Sequence, residues 1–466
     1  MFWKLIVVFS VLVLSCYLFY KASGTLNPIK VNVITYFFYL FILHNFLGSS
    51  LVFLGLKKHY LISKIVNENT INKTYFIICF TALVFPIAMI VVSRLFKVNV
   101  RKQYEEFLKK SIIIENDDYI FIVTSIISIF CLILTIVMFK RMNTIPLINL
   151  IFNRGLSSMG VDRINISKGT YINQYLRNFL VLGITPLLSY LAYIYYKCTK
   201  KRNWGILFLL LFIASIFIKT YNYAKSPVIT YIFMFVFINI IIKGKIKLKS
   251  LIKFAVLGIG VLGIMYIKMG YNFSNGIDIY SGPFGRFIFT QIATLFLHVD
   301  LFPNFIPYLN WRSLSPSILG LIFNGSKHIR SGRAVMQFYS PDKVVNGTAG
   351  VMNTLFVGEA YANFGIIGVI LGVIYVGIIF ESVYLMFIKN KKTPTNVIMY
   401  IFATQTLVEV SQSGFTDYIY NSNAIVNIGL ILFIVLIAKL LEKKKMLNDI
   451  IIKIRQFNSK GRKING

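Results

Sequence analysis

Long apolar stretches separated by short polar stretches run along almost the whole chain of 466 residues. A helix of about 20 apolar residues crosses the hydrocarbon core of a bilayer, which is roughly 30 Å thick. The pattern therefore predicts about 11 membrane-spanning helices, with a range of about 9 to 13, and the fold class is an all-α, polytopic integral membrane protein. The predicted spans are Trp3–Tyr20, Val33–Leu56, Tyr75–Phe96, Tyr119–Phe139, Phe179–Tyr196, Trp204–Ile218, Val228–Ile242, Leu251–Lys268, Gly365–Ile388, Val397–Ser411 and Ala424–Leu441.

One long polar segment, residues 269–353, interrupts this pattern late in the chain. Loops much longer than about 12 to 15 residues are usually functional or disordered, and the many aromatic residues and prolines of this one favour order. Within it, Phe287–Val299 is apolar apart from Gln291 and His298, which is typical of a helix lying at the membrane interface. The predicted organisation is an N-terminal bundle (1–268), a large extracytoplasmic loop with interfacial helices (269–353), and C-terminal helices with a basic cytoplasmic tail (354–466).

Composition and charge agree with a membrane protein. Hydrophobic residues make up 57% of the chain, which excludes an ordinary soluble protein, and the net charge is +33. The basic residues lie mostly in short loops between spans, which is the pattern of the positive-inside rule and indicates no nucleic-acid partner. The densest basic loops, 197–202, 243–253, 389–392 and 442–445, are predicted to be cytoplasmic, and this places 219–227, 269–353 and 414–423 outside. The topology before residue 197 stays open, because the segment 140–178 also carries several basic residues.

The four cysteines show no disulfide or metal-ligand spacing: Cys16, Cys79 and Cys131 lie in predicted spans and Cys198 lies beside a basic loop. We therefore expect no metal site and no cofactor.

The long loop carries an unusual charge for an outer segment. It holds six basic residues against three acidic ones, namely Arg286, Arg312, Lys327, Arg330, Arg333 and Lys343 against Asp278, Asp300 and Asp342. The planar guanidinium group matches phosphate oxygens in a bidentate way, and the steps Gly285-Arg286 and Gly332-Arg333 would let backbone and side chain approach an anion together. Each arginine alone could equally be an interfacial anchor or part of an ion pair. As a set, with aromatic rings able to stack on sugars, they predict a site for phosphate and glycan.

Candidate acid–base residues lie in and beside this loop. His298 and Asp300 could act as base and orienting group, but residues two apart on a helix point in different directions, which favours simple polar exposure of the pair. Glu359 stands at the mouth of a span, where a carboxylate either lines a cavity or snorkels to the interface. Two further outer turns, one with Asp417 and one with Lys225, would complete a single site if they converge on the loop.

The segment Thr354–Gly368, with sequence TLFVGEAYANFGIIG, resembles the oligosaccharide repeat-unit polymerases of bacterial O-antigen and capsule assembly, the Wzy type. Members commonly carry a tyrosine, an acidic or amide residue, then Phe-Gly, two apolar residues and Gly just after a large outer loop. Here the tyrosine is Tyr361 and the acidic position is Asn363, a departure that argues against a proton-transfer role there. A spacing of Arg, ten residues and Gly seen in some relatives is absent at Arg286, Arg330 and Arg333, so the loop arginines stay unmatched to those relatives. The resemblance implies a fold allied to membrane glycosyltransferases that use polyprenyl-phosphate-linked sugars, and a multi-pass location in the bacterial cytoplasmic membrane.

The resemblance implies a polymerase that moves a growing glycan from its polyprenyl diphosphate carrier onto a newly flipped lipid-linked repeat unit. Its partners would be this lipid-linked oligosaccharide, membrane lipid, and possible chain-length regulator and flippase proteins. Arginines can replace a metal at the leaving diphosphate, so we expect a metal-independent enzyme. The predicted catalytic residues are Glu359, His298, Arg286 and Arg333, and the predicted substrate-binding residues are Arg330, Lys225, Arg312, Trp311, Tyr361, Asn363 and Asp417. The alternatives are an O-antigen ligase, which shares almost all these features, and a lipid-linked glycan flippase or transporter, which the scarcity of mid-span charges disfavours.

Overall fold

The computed structural model describes residues 2–152, 159–268, 278–280, 282–316, 319–320, 327–414, 422–444, 450 and 452, and every regular element in these ranges is a helix. Nine of the described helical segments are long and apolar enough to cross a membrane, which confirms the predicted all-α, polytopic class. They are Phe2–Lys30, Val33–Phe53, Glu68–Leu95, Asp117–Lys140, Leu176–Thr199, Arg202–Thr220, Ser226–Lys243, Phe356–Lys389 and Asn423–Lys443. The other helices of eight or more residues are Val100–Lys109, Met159–Lys168, Leu248–Lys268, Gln291–Leu301, Ser331–Tyr339 and Pro394–Val408.

Two predicted spans are helical but fall outside these nine. The predicted span Leu251–Lys268 lies in the helix Leu248–Lys268. The predicted span Val397–Ser411 lies in the helix Pro394–Val408, which has 15 residues and is followed by a single turn of 3-10 helix. At about 1.5 Å per residue this helix extends about 22 Å, less than the roughly 30 Å of a bilayer core.

The 34-residue helix Phe356–Lys389 is broken near its start. Phe364 (φ −142°, ψ 19°) and Gly365 (φ 60°, ψ −141°) have non-helical backbone angles, so a short helical piece precedes the membrane-spanning piece. The predicted span also began at Gly365. The break separates the short helical piece, which carries Glu359 and Asn363, from the span that anchors it.

The chain divides into two compact units. The first contains residues 1–106, 270–389 and 404–421, and the second contains residues 107–269, 390–403 and 422–466. The sequence-based division into 1–268, 269–353 and 354–466 concerns order along the chain and stays a prediction.

In the first unit, the broken helix packs closely on the helix Glu68–Leu95. Phe85 contacts Phe380 and Phe37 with ring centroids 5.3 and 4.8 Å apart. A Cβ atom at Gly377 would lie 2.9 Å from the Cβ of Ala88, so the glycine permits this approach of the two backbones. The tight contact fixes the span and, with it, the polar residues that precede the break.

In the second unit, charged side chains fasten the ends of helices. Lys201 forms ion pairs with Asp117 (2.5 Å) and Asp118 (2.7 Å), and the indole of Trp204 donates a hydrogen bond to Asp117. The buried ammonium of Lys392 donates hydrogen bonds to three backbone carbonyls, those of Phe107, Leu108 and Lys110.

Candidate functional site

The break at Phe364 and Gly365 lets the long loop reach the helix. The backbone N–H groups of Leu309 and Asn310 donate hydrogen bonds to the carbonyls of Ala362 (2.9 Å) and Asn363 (3.3 Å), which the interrupted helix leaves without their usual partners. A Cβ atom at Gly365 would lie 2.6 Å from the hydroxyl of Tyr308. The loop therefore packs directly onto the broken end of the helix.

Backbone geometry explains both glycines of the Phe-Gly-x-x-Gly motif. Gly365 adopts a positive φ in a region that is essentially restricted to glycine. A Cβ atom at Gly368 would lie 2.1 Å from the carbonyl oxygen of Ala360, so only glycine lets the span start so close to the short helical piece. The motif is therefore a requirement of the break that shapes the site.

We expect Gly365→Ala to lower the amount of folded protein, because the backbone strain costs about 1–3 kcal/mol and the new methyl group also meets Tyr308. Membrane abundance and size-exclusion profiles of a fluorescently tagged chain measure this. Gly260→Ala is the matched control, since no atom of the described residues lies within 4 Å of a Cβ there. Normal abundance of Gly365→Ala would show that the break tolerates a side chain and contradict this account.

Glu359 lies at the centre of a buried polar cluster. Its side chain is only 4% exposed, and its Oε1 accepts a hydrogen bond from the Ser313 hydroxyl at 2.8 Å. The Asn363 amide donates to the Ser313 oxygen (2.7 Å) and to the Glu359 carbonyl (2.8 Å). Because Ser313 accepts from Asn363, its own proton points to Glu359. A Cβ atom at Gly414 would lie 2.0 Å from Oε2 of Glu359. Glycine at this position therefore leaves room for the carboxylate.

His298 lies in the helix Gln291–Leu301 and is fully buried. Its Nδ1 is 2.7 Å from the carbonyl oxygen of Thr294, so Nδ1 carries a proton and donates a hydrogen bond to this oxygen. The lone pair of Nε2 has no hydrogen-bond partner among the described residues. Burial disfavours the charged imidazolium and lowers the pKa of His298 to about 4. The ring is therefore neutral, with Nε2 ready to accept a proton.

Asp300 does not orient this histidine. Its carboxylate accepts hydrogen bonds from Thr70 (3.1 Å) and from the hydroxyl of Tyr339 (2.6 Å). The expectation of simple polar exposure is wrong for His298, because neighbouring helices cover the loop helix that carries it. A backbone carbonyl, which no sequence pattern reveals, takes the orienting role.

A prediction follows for the pH dependence of activity. A His298 pKa near 4 lies below the usual value, so the neutral, proton-accepting form persists as the pH falls through 6.5. We expect the rate of glycan transfer to show no loss attributable to His298 between pH 8 and about pH 5.5. Initial rates with purified protein measure it. An acid limb near pH 6.5 that disappears in His298→Gln would contradict the buried, neutral state.

Glu359 and His298 line one small pocket, whose cavity volume of about 20 Å³ is close to the space of a single water molecule. The lining residues are His298, Ser313, Arg330, Ser331, Gly332, Met352, Asn353, Thr354, Glu359 and Gly414. All of them belong to the first unit. The structure thus brings a carboxylate, a neutral imidazole and a guanidinium group together.

The cationic side of the pocket is the start of the helix Ser331–Tyr339. Arg330 precedes this helix and donates a hydrogen bond to the Asn353 side chain at 3.2 Å. The first N–H groups of a helix have no partner within it and attract anions. A Cβ atom at Gly332 would lie 2.5 Å from the Met352 carbonyl oxygen, so this glycine lets the helix start against the opposite wall. The arrangement suits a phosphate-bearing ligand.

The two arginines that were predicted to be catalytic, Arg333 and Arg286, do not line the pocket. Arg333 is half-buried and donates hydrogen bonds to the carbonyls of Gly350 (3.1 Å) and Ala349 (3.4 Å), so it ties the following loop in place. Arg286 is exposed at the start of the π-helical turn Arg286–Thr290. Their assignment to the diphosphate stays a prediction.

Other predicted substrate-binding residues surround the broken helix. Trp311 is half-exposed and meets the ring of Phe364 edge-on at 4.7 Å. Arg312 donates from Nε to the carbonyl of Leu309 at 2.9 Å. Tyr361 is buried, and the Lys73 ammonium lies 5.0 Å from the centre of its ring. These contacts give Arg312 and Tyr361 a part in packing, and Trp311 keeps an open ring face.

Two outer turns, those with Asp417 and Lys225, were predicted to converge on the long loop, and the structure describes only part of the first. Gly414, from the turn after the helix Pro394–Val408, reaches Glu359. Asp417 lies outside the described residues. Lys225 immediately precedes the helix Ser226–Lys243 of the second unit, and its role stays a prediction.

Sequence reasoning missed the small polar residues of the pocket, above all Ser313, Ser331, Asn353 and Thr354. Their residue types are common in any loop, so composition gives no signal for them. Their positions in the chain gave a usable signal. Asn353 and Thr354 lie just before the helix that begins at Phe356 and carries Glu359, and Ser331 is the first residue of the helix after Arg330. Among the described residues, no group of three His, Cys, Asp or Glu side chains could hold a metal ion.

Comparison with known families gives one finding. Residues 341–445 match the sequence model of the family described as O-antigen polysaccharide polymerase Wzy. The matched segment includes the short helix with Glu359, the break and the turn with Gly414. Searches of curated proteins and of solved structures give no significant match.

Proposed function

We propose that this chain, whose C-terminal match supports a Wzy-type O-antigen polymerase, joins lipid-linked repeat units at the pocket around Glu359. The donor would be a glycan on polyprenyl diphosphate, and the acceptor a sugar hydroxyl of another lipid-linked unit. The observation that carries the proposal is the meeting of Glu359, His298 and Arg330 in one pocket beside the matched segment. The family match does not favour the ligase or flippase alternatives.

The proposed reaction is a displacement at the anomeric carbon. The acceptor oxygen forms a bond to this carbon while the bond from the carbon to the diphosphate oxygen breaks. The acceptor proton moves to Nε2 of His298, whose lone pair has no partner among the described residues. The Glu359 carboxylate in the same pocket stabilises the imidazolium and orients the acceptor, because Ser313 and Gly414 fix its position.

The leaving diphosphate carries the charge that develops in this reaction. Arg330 and the first N–H groups of the helix Ser331–Tyr339 would stabilise it. Arg333 would act by holding the loop at Gly350, and Arg286 remains a candidate for the distal phosphate. Metal independence, the bacterial cytoplasmic membrane as location, and partnership with a chain-length regulator and a flippase belong to the proposal as well.

Loss of this chain tests the proposal in cells. A strain without it should display single repeat units on the final acceptor or carrier, because units are still made and flipped but not joined. Gel profiles of the surface glycan measure chain length, and a strain without the flippase is the control, since its units stay inside. Long polymer in the deletion strain, with no second polymerase present, would refute the function.

A further inference from the structure

A second cavity lies at the other end of the first unit. The helix Glu68–Leu95 starts beside the long loop, where Thr70 bonds Asp300, and its 28 residues extend about 42 Å at about 1.5 Å per residue. Its last turn, with Ser93 and Arg94, lines the second cavity. This cavity of about 310 Å³ therefore lies near the membrane surface opposite the candidate site.

That surface is the predicted cytoplasmic one. Gln103 donates a hydrogen bond to the carbonyl of Ile388 at 3.2 Å, and the Lys389 ammonium lies 5.7 Å from the ring of Phe96. Both contacts join the cavity region to the start of the basic loop 389–392, which the positive-inside rule places in the cytoplasm.

In the part of the chain that the structure describes, three cationic side chains line the cavity: Lys21, Arg94 and Arg101. Arg101 is held in place by the hydroxyl of Tyr20 at 3.1 Å and by Glu105, whose carboxylate is 3.5 Å from Nε. The side chains of Lys21 and Arg94 are exposed. One more carboxyl lies behind the wall, because the fully buried Glu381 accepts a hydrogen bond from Ser93. The cations outnumber these two carboxyls, so the cavity favours an anion.

The backbone adds to this preference. The helix Val100–Lys109 begins at the cavity, and Asn99 caps it by accepting from the N–H of Lys102. The N–H groups of its first turn face the same region, where a helix favours negative charge. Gly24 has a positive φ, and a Cβ there would lie 2.8 Å from the Cα of Arg101, so this glycine brings the first span against the helix start.

Apolar side chains continue from the cavity along the membrane-facing surface. On the helix Phe2–Ser23, Leu14 and Tyr17 lie on the same face as Lys21, and both are about half-exposed. On the helix Glu68–Leu95, Ile87 and Val91 lie on the face of Arg94 and are also about half-exposed. A ligand that fits both surfaces has an anionic head and apolar tails.

We propose that this cavity binds the phosphate headgroup of an anionic phospholipid of the cytoplasmic leaflet, with its acyl chains on the apolar faces beside Lys21 and Arg94. Basic pockets between spans on this side of a membrane are suited to such headgroups. The site is independent of glycan transfer, so it stands or falls apart from the proposed function.

The test uses the purified full-length chain in mixed micelles of phosphatidylglycerol and phosphatidylcholine, with retained lipid counted by native mass spectrometry. We expect the wild type to retain phosphatidylglycerol in preference, and the double variant Lys21→Ala/Arg94→Ala to retain roughly tenfold less. The matched control is Lys102→Ala/Lys389→Ala, which removes the same charge from exposed residues of the same unit that do not line the cavity. It should behave as the wild type does.

Equal retention by both double variants would overturn the site, since the effect would then follow net charge alone. Displacement of the lipid by millimolar inorganic phosphate would also overturn it, because the cavity would then bind a free anion. The single variants Lys21→Ala and Arg94→Ala, each expected to weaken retention roughly threefold, keep the test valid if the double variant fails to give a monodisperse size-exclusion profile.

Discussion

Glu359→Gln is expected to reduce glycan polymerisation about a hundredfold or more while the protein remains at its normal level. The substitution keeps the shape of the side chain but removes the negative charge that, in the proposed reaction, stabilises a protonated His298 and orients the acceptor. Its amide also brings a donor to the position where the Ser313 hydroxyl now donates to Oε1. Polymer length and amount on gels, at matched expression, measure the effect.

The controls for this prediction separate charge from packing. Glu106→Gln removes an exposed carboxylate of the same unit that does not line the pocket, and it should leave polymer length and amount unchanged. Ser313→Ala should cost less than Glu359→Gln, roughly tenfold, because it removes one neutral donor to the carboxylate. Normal polymer from Glu359→Gln would remove this carboxylate from the mechanism, and the assignment of the pocket would fail with it.

Arg330→Lys is expected to lower polymerisation by a similar factor, about a hundredfold. Lysine keeps the charge but loses the planar guanidinium fork, which in Arg330 donates one hydrogen bond to Asn353 and matches phosphate oxygens in a bidentate way. A purely electrostatic role predicts that lysine suffices and alanine does not. Transfer rates with purified protein and lipid-linked repeat units distinguish these outcomes.

Variants of the neighbouring arginines locate the diphosphate. The sequence-based assignment predicts losses for Arg333→Lys and Arg286→Ala as well, whereas the contacts of Arg333 predict that its variants mainly loosen the loop at Gly350. Lys327→Ala removes an exposed charge from the same loop and serves as the control. If Arg330→Lys polymerises normally and Arg333→Lys does not, the diphosphate site lies at Arg333 and the proposed geometry is wrong.

The broken helix shows what a local sequence motif can predict about the structure and what it cannot. The sequence placed the start of the span at Gly365, and the structure puts the break there. It could not show why glycine is needed at this position, because the reasons are the positive φ at the break and the approach of Tyr308, which is distant in sequence. The role of Asn363 could not be predicted from the sequence either. Its departure from an acidic residue argued against proton transfer, and only the folded chain shows it bonded to Ser313 beside Glu359.

The sequence by itself determined the all-helical membrane class, most of the spans, and the long loop and its junction with a span as the place to look for function. Hydropathy carries this information because it depends on the run of residues along one segment. Only the tertiary structure decided that His298, Arg330 and Glu359 share a pocket, that Asp300 bonds elsewhere, and that Arg333 holds a loop. These contacts join residues far apart in sequence, and they form because packed helices fix the loop in one position, which no local pattern encodes.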